Sequence, residues 1–156
     1  MSGGEPCSGC GAPGGTAACR ALFDALIARD FADPAFFAVH RMFVDTYCLQ
    51  HPDDSCASAK SLAAHLIGLC LILEEGASAA TGATFLRDWL DGARALDKPD
   101  LPAQRGRTIL ADLAGIDAPS AWRHAVRRWA DSTWDAYADL QPLARRWAAA
   151  ARSARR

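Results

Sequence analysis

Cys7-Ser8-Gly9-Cys10-Gly11 is the segment of this chain with the clearest chemistry. Two thiolates three positions apart can grip one zinc ion through a tight turn. Glycine between the cysteines, and again just after the second, lets backbone N–H groups turn toward the sulfurs. Such hydrogen bonds spread the thiolate charge and lower the thiol pKa. The pair supplies only two ligands, and no second Cys-x-x-Cys follows. Without a metal the same residues are free thiols on an irregular arm, or a redox couple. A redox pair of this spacing normally belongs to a thioredoxin-like sheet, and no such pattern is present.

The other ligands must come from the rest of the fold. In His40-Arg41-Met42-Phe43-Val44-Asp45-Thr46-Tyr47-Cys48-Leu49-Gln50-His51, helical spacing puts His40, Val44, Tyr47 and His51 on one stripe flanked by Phe36, Phe37 and Phe43. An imidazole on an apolar face is costly unless it is bonded. A single one reads as a core histidine on a carbonyl or on Tyr47; two on one stripe, with His65 opposite, favour ligands. The turn at Pro52–Ala57 folds helices 35–51 and 58–75 into an antiparallel hairpin, which sets His65 level with Val44–Tyr47. A Gly-rich arm docking at the turn brings Cys7 and Cys10 to His51 and His65, a Cys2His2 set suited to a closed structural zinc. Cys19, nine residues after Cys10, is the first substitute ligand and His40 the next. His40 is about three turns from His51, ~16 Å, too far to share one ion with it. Asp45 reads either as an acceptor that orients a liganding imidazole or as a surface partner of Arg41, four residues earlier.

These residues need elements to hold them. Residues 1–15, rich in Gly with Pro and Cys, form an arm rather than a helix or strand. Thr16 is placed to cap a helix running to about Arg29. Asp33-Pro34 starts a second helix, over Ala35–Gln50, which stops before Pro52. Ser58 or Ser61 opens a third, carrying Leu62, Leu66, Leu69 and Leu73 and ending at Gly76. A fourth covers roughly Ala83–Leu96, a Pro-rich loop spans Asp97–Gly106, and a short helix covers Thr108–Ala114. Asp117 and Pro119 open the last long helix, with a break at Pro142. Trp122, Trp129, Trp134 and Trp147 along it read as core; His124 reads as exposed. The tail 143–156 holds five Arg and no acid, a solvated helix end rather than a polyanion contact. No alternating strand pattern and no repeat occurs. The expected fold is all-α: one domain over 1–156, a bundle of about five to six helices with an irregular Gly/Cys-rich arm.

Composition narrows the setting. With 156 residues, 51% of them hydrophobic, and a net charge of -1, the chain can bury one core and has no global pull toward nucleic acid. The longest apolar run, Leu66–Leu73, is too short to span a membrane. The opening residues lack a signal-peptide pattern. A cytoplasmic location follows as the expectation, and there six cysteines read as thiols or metal ligands rather than disulfides. The preference for Ala, Arg and Asp over Lys and Ile suggests a bacterial, GC-rich coding sequence.

CSGCG at the start, then Cys19, HRMFVDTYCLQHP, KSLAAHLIGLCLILEEG and VRRWADSTWDAY together resemble an uncharacterised bacterial family of unknown function. Its members open with a Cys-Pro-Gly-Cys-Gly knuckle and carry a Val-Asp-x-Tyr-x-x-Gln-His-Pro block. The resemblance covers about residues 7–138. It maps the family pattern onto Cys7, Cys10, Cys19, His40, Val44, Asp45, Tyr47, Gln50, His51, Pro52 and His65. Ser8 replaces the usual proline, and Leu140-Gln141 stands where many relatives have a histidine pair. The resemblance implies a fold and a site; it carries no reaction.

Three functions compete. The first is a zinc-stabilised, non-enzymatic helical domain that binds a protein or a small ligand. The second is a metal-dependent hydrolase or transferase with an open site on His40, His51 and His65 and with Asp45 or Tyr47 as proton carrier. The third is a thiol redox or metal sensor built on Cys7, Cys10, Cys48 and Cys56. The number of protein ligands around one ion separates them.

Overall fold

The structure, a computed structural model, describes residues 4–92 and 95–154, without the side chains of 79–84. Among the described residues helices are the regular elements and no strand occurs, so the fold is all-α. Among the described residues eight α-helices replace the expected five to six: α1 Gly15–Ala32, α2 Pro34–Phe37, α3 His40–Gln50, α4 Pro52–Ser55, α5 Ala59–Glu75, α6 Ala79–Asp91, α7 Pro119–Ala136 and α8 Gln141–Ser153.

The surplus comes from a split at Ala38–Val39, a single turn beginning at Pro52 and a separate helix at Gln141–Ser153. Asp33 caps α2, accepting from the Ala35 N–H at 2.9 Å, with Pro34 in the first turn. The helix expected over Ala35–Gln50 is broken at Ala38–Val39, where no proline or glycine marks the sequence. His51 leaves helical geometry (φ -123, ψ 55), and Pro52 begins a single turn of its own, α4. Ser58 and Ser61 form a reciprocal capping box on α5, which ends at Gly76 in the left-handed region (φ 63). Pro142 opens α8 rather than merely interrupting the last helix. Thr16 does not cap α1: its Oγ1 receives the Ser8 N–H at 3.1 Å, so the hydroxyl ties the arm to α1. The helix expected over Ala83–Leu96 starts earlier and ends at Asp91; residues 93 and 94 lie outside the described residues, as do the last two arginines of the basic tail.

α5 is the central helix, packed against α3, α6 and α8. Leu62, Leu66, Ile67 and Leu69 on α5 and Phe43 and Leu49 on α3 are fully buried. Trp122 and Trp129 on α7 are fully buried as well, and Trp134 and Trp147 are nearly so. His124 is exposed, as its position suggested. The far end of α5 is clamped to α8 by a two-point Glu74–Arg145 pair, at 2.7 and 2.8 Å, and by a Glu75–Arg152 pair.

One buried amide joins three elements. Gln50 accepts from the Trp129 indole N–H at 2.9 Å, and its own N–H groups reach the carbonyls of Arg105 (2.9 Å) and Thr108 (2.8 Å). The loop expected at Asp97–Gly106 is thereby pulled against the start of the α3–α4 turn. Replacing Trp129 with Ala removes a fully buried ring and leaves the Gln50 carbonyl unpaired. The expected cost is ~3–5 kcal/mol, with a smaller loss for Trp129→Phe, which keeps most of the volume. Urea unfolding of both variants checks the ranking; an unchanged midpoint for Trp129→Ala would contradict this account of the core.

Candidate metal centre

The arm makes its own turn before it meets the bundle. The Cys7 N–H donates to the Ala12 carbonyl at 2.9 Å, and the Gly11 N–H to the Cys7 carbonyl at 2.8 Å, with Gly11 at φ 78. Inside this turn the N–H groups of Cys10 and Gly9 point at the Cys7 sulfur, and that of Ala12 points at the Cys10 sulfur. This is the amide arrangement anticipated from the glycine positions. Gly9 also lies flat on the His51 ring: a Cβ there would collide with the imidazole.

Four donors converge on this turn. Cys7, Cys10 and Cys19 offer sulfurs and His51 a ring nitrogen, all within 4.8 Å of one another. Cys10 Sγ lies 3.7 Å from Cys19 Sγ, which lies 3.4 Å from His51 Nε2. Tetrahedral ligands around one zinc, with Zn–S near ~2.3 Å, would sit ~3.8 Å apart. The spacing therefore fits one ion. The arrangement is a Cys3His set, chemically soft and suited to zinc.

His51 is pre-set for this role. Its Nδ1 faces the Tyr47 carbonyl at 2.8 Å. A proton held on Nδ1 leaves Nε2 with a free lone pair toward the sulfurs. Burial lowers the His51 pKa, although the Tyr47 carbonyl and Asp54 oppose the shift, so the neutral, ligating form is favoured. The ring stacks on Tyr47 at 4.0 Å, and Tyr47 stacks on Phe23 of α1 at 3.8 Å.

The thiols carry the signature of a crowded site. Burial opposes ionisation of Cys7, but the amides of Cys10 and Gly9, with Thr16 and Cys10, outweigh it and hold the thiol below its ordinary range. Burial pushes Cys10 up despite the Ala12 amide, and burial with the neighbouring Cys10 pushes Cys19 far up. Three sulfurs so close cannot all ionise unless a cation shares their charge.

The structure brings Cys7, Cys10 and His51 together with Cys19 as the fourth donor, and His65, the fourth ligand expected from the sequence, lies outside this group. Cys19 is on the second turn of α1, whose start the arm folds back upon. His65 is held elsewhere by a stronger local demand. Asp45 is fully buried, contrary to a surface placement; its Oδ1 receives His65 Nδ1 at 2.8 Å and its Oδ2 receives Arg41 Nε at 2.7 Å. Gly68 makes room for that carboxylate, since a Cβ there would collide with it. His40 lies in a third place, with Nδ1 3.2 Å from the buried Asp30 and its ring stacked on Phe37. The three histidines therefore do not form one site. Cys56 donates its S–H to the Cys48 carbonyl at 3.6 Å, deep in the bundle and apart from the four-donor group.

A polar cleft of about 260 Å³ opens beside the four donors. The knuckle forms one wall; Gln50 and residues 103–106 form the other. Arg105 Nη1 reaches the Gly9 carbonyl at 3.4 Å across it.

Fold and site together define an all-helical domain with a Cys3His cluster able to hold a metal ion. The chain belongs to the family described as Family of unknown function (DUF5946), whose pattern it matches over residues 5–138. Neither the curated proteins nor the solved structures contain a match to it.

The Asp45 network predicts a pH dependence. Burial disfavours the His65 imidazolium, but hydrogen bonds to Asp45 and Cys48 overcome this and push its pKa up to about 9. A histidine with a raised folded pKa stabilises fully below its unfolded value near 6.5, and this contribution is lost as pH rises through about 9. The difference is on the order of 3 kcal/mol. Urea midpoints taken from mildly acidic to alkaline pH should fall more steeply for the natural chain than for His65→Gln; parallel curves would contradict the assignment.

Proposed function

We propose that this protein is a zinc-binding helical domain in which the ion is structural, and that it acts by binding a protein or small ligand rather than by catalysis. The observation that carries the reading is the convergence of three sulfurs and one pre-oriented imidazole at tetrahedral spacing. Cys7, Cys19 and His51 are buried, as befits a closed site. The arm has little apolar surface of its own, and a metal tie gives it a reason to be ordered. Separation of His40, His51 and His65 leaves the three-histidine enzyme without a common centre.

A small partner would meet the site at the cleft between the knuckle and residues 103–106. A cytoplasmic setting suits six unpaired cysteines. No helix among the described residues is long and apolar enough to cross a membrane.

Protein purified without chelator should carry about one zinc per chain, with X-ray absorption showing Zn–S near ~2.3 Å and Zn–N near ~2.0–2.1 Å. Cys7→Ser should release zinc and lower the melting temperature together. Zinc lost with stability intact would assign the ion to chemistry or sensing, and absence of any transition metal would end the reading. Gly9→Ala replaces no ligand, yet its Cβ would force the knuckle off the His51 ring. A competition titration should show zinc affinity falling ~10–100-fold, the range seen when groups that orient ligands are disturbed.

A further inference from the structure

We propose that Cys10 and Cys19 form a hydroperoxide-responsive pair, Cys10 being the sulfur oxidised first and Cys19 the sulfur that resolves it. The proposal rests on the zinc reading above and concerns the regulation of that same site.

Access singles out Cys10. It is the one donor residue of the four that is partly exposed, and it lines the polar cleft. Cys7 lines the cleft too but is 3% exposed, and its sulfur receives the N–H groups of Cys10 and Gly9 and the Thr16 hydroxyl. Each such hydrogen bond withdraws charge from the sulfur. Cys10 receives a single backbone N–H, from Ala12. The cysteines outside the group, Cys48, Cys56 and Cys70, are buried.

Proximity singles out Cys19. Its sulfur is 3.7 Å from Cys10 Sγ, and its own surroundings are buried, at 4% exposure. It can attack a neighbour without first meeting an oxidant from solvent.

The Cys10 thiolate attacks a peroxide oxygen; an S–O bond forms and the O–O bond breaks. The departing oxygen takes a proton from water, so the hydroperoxide is reduced to an alcohol, or hydrogen peroxide to water, while Cys10 becomes a sulfenic acid. The Cys19 thiolate then attacks the Cys10 sulfur; an S–S bond forms, the S–O bond breaks, and the hydroxide takes a second proton. Two electrons have passed from the sulfurs to the peroxide. Two of the four donors are now bonded to each other, and the remaining Cys7 and His51 make a poor zinc site, so the ion is released. The arm stays joined to α1 through the new disulfide but loses its tie to His51, which uncovers the imidazole and the Gln50 side of the cleft.

The test uses the full chain in its zinc-loaded form, with metal content measured beforehand. Hydrogen peroxide is titrated in at neutral pH; a chromogenic chelator reports released zinc, and peptide mass mapping after alkylation reports which sulfurs have reacted. Zinc release should follow peroxide with about one equivalent per chain, and a Cys10–Cys19 disulfide should appear, both reversed by dithiothreitol and added zinc. Cys19→Ser should stop at a Cys10 sulfenic acid trapped by dimedone; if that variant does not fold, the mapping on the natural chain decides alone. Retention of zinc with unmodified Cys10 under excess peroxide would overturn the proposal and leave the zinc reading standing. A Cys7–Cys10 disulfide, or earlier oxidation of Cys48, Cys56 or Cys70, would overturn it equally. A chain that holds no zinc before peroxide is added overturns the zinc reading itself, and this proposal with it.

Discussion

The hydrogen bond between His51 Nδ1 and the Tyr47 carbonyl, 2.8 Å long, is the contact on which the rest of the site depends. The same carbonyl also accepts the His51 backbone N–H at 3.0 Å, so the last turn of α3 holds both the backbone and the ring of His51. The bond to the ring turns a buried imidazole from a liability into a donor aimed at three sulfurs. Everything irregular in the N-terminal arm then has somewhere to go. The knuckle lays Gly9 on the imidazole, the cluster gathers at Nε2, and the adjacent Gln50 fixes the loop that closes the cleft from the far side.

A second constraint runs beneath the first. α3 also buries a carboxylate, Asp45, which would be untenable without Arg41 and His65 on its two oxygens. That demand explains why His65 is absent from the four-donor group. A neutral ligand imidazole and a carboxylate-paired, protonated imidazole are different chemical species, and the pairing at 2.8 Å commits His65 to the latter. α3 therefore serves two polar centres at once, the Cys3His donor group from its C-terminal end and the charge network from its middle.

Much of this was legible in the residues alone. Apolar periodicity and capping signals give an all-helical chain, and Asp33-Pro34, Ser58, Gly76 and Pro119 fall at observed helix boundaries. The knuckle's turn was legible in Gly11, whose φ of 78 favours glycine, whereas Gly9 is required by the His51 ring, which a Cβ would strike. What could not be read was competition. His65 and Cys19 were both available as donors, and choosing between them required knowing that Asp45 is buried, which a charge four residues from an arginine does not announce. Thr16 has a capping side chain, but α1 starts before it, at Gly15 with Gly14 as N-cap, and the Thr16 hydroxyl receives the arm's Ser8 N–H instead. The break at Ala38–Val39 falls at no proline or glycine, so no local signal announces it.

The spacing of the four donors has a thermodynamic consequence. Cys7, Cys10 and Cys19 lie within a short stretch of chain, whereas His51 is 32 residues beyond Cys19. In an unfolded chain the three thiols can gather around zinc at little cost in loop closure, while adding the imidazole requires a far longer loop. The unfolded ensemble of the zinc-bound form proposed above would thus retain part of its affinity for the ion. Linkage then credits to the native state only the difference between the two affinities. Most of that difference resides in His51, the single donor that the fold, rather than the local sequence, delivers.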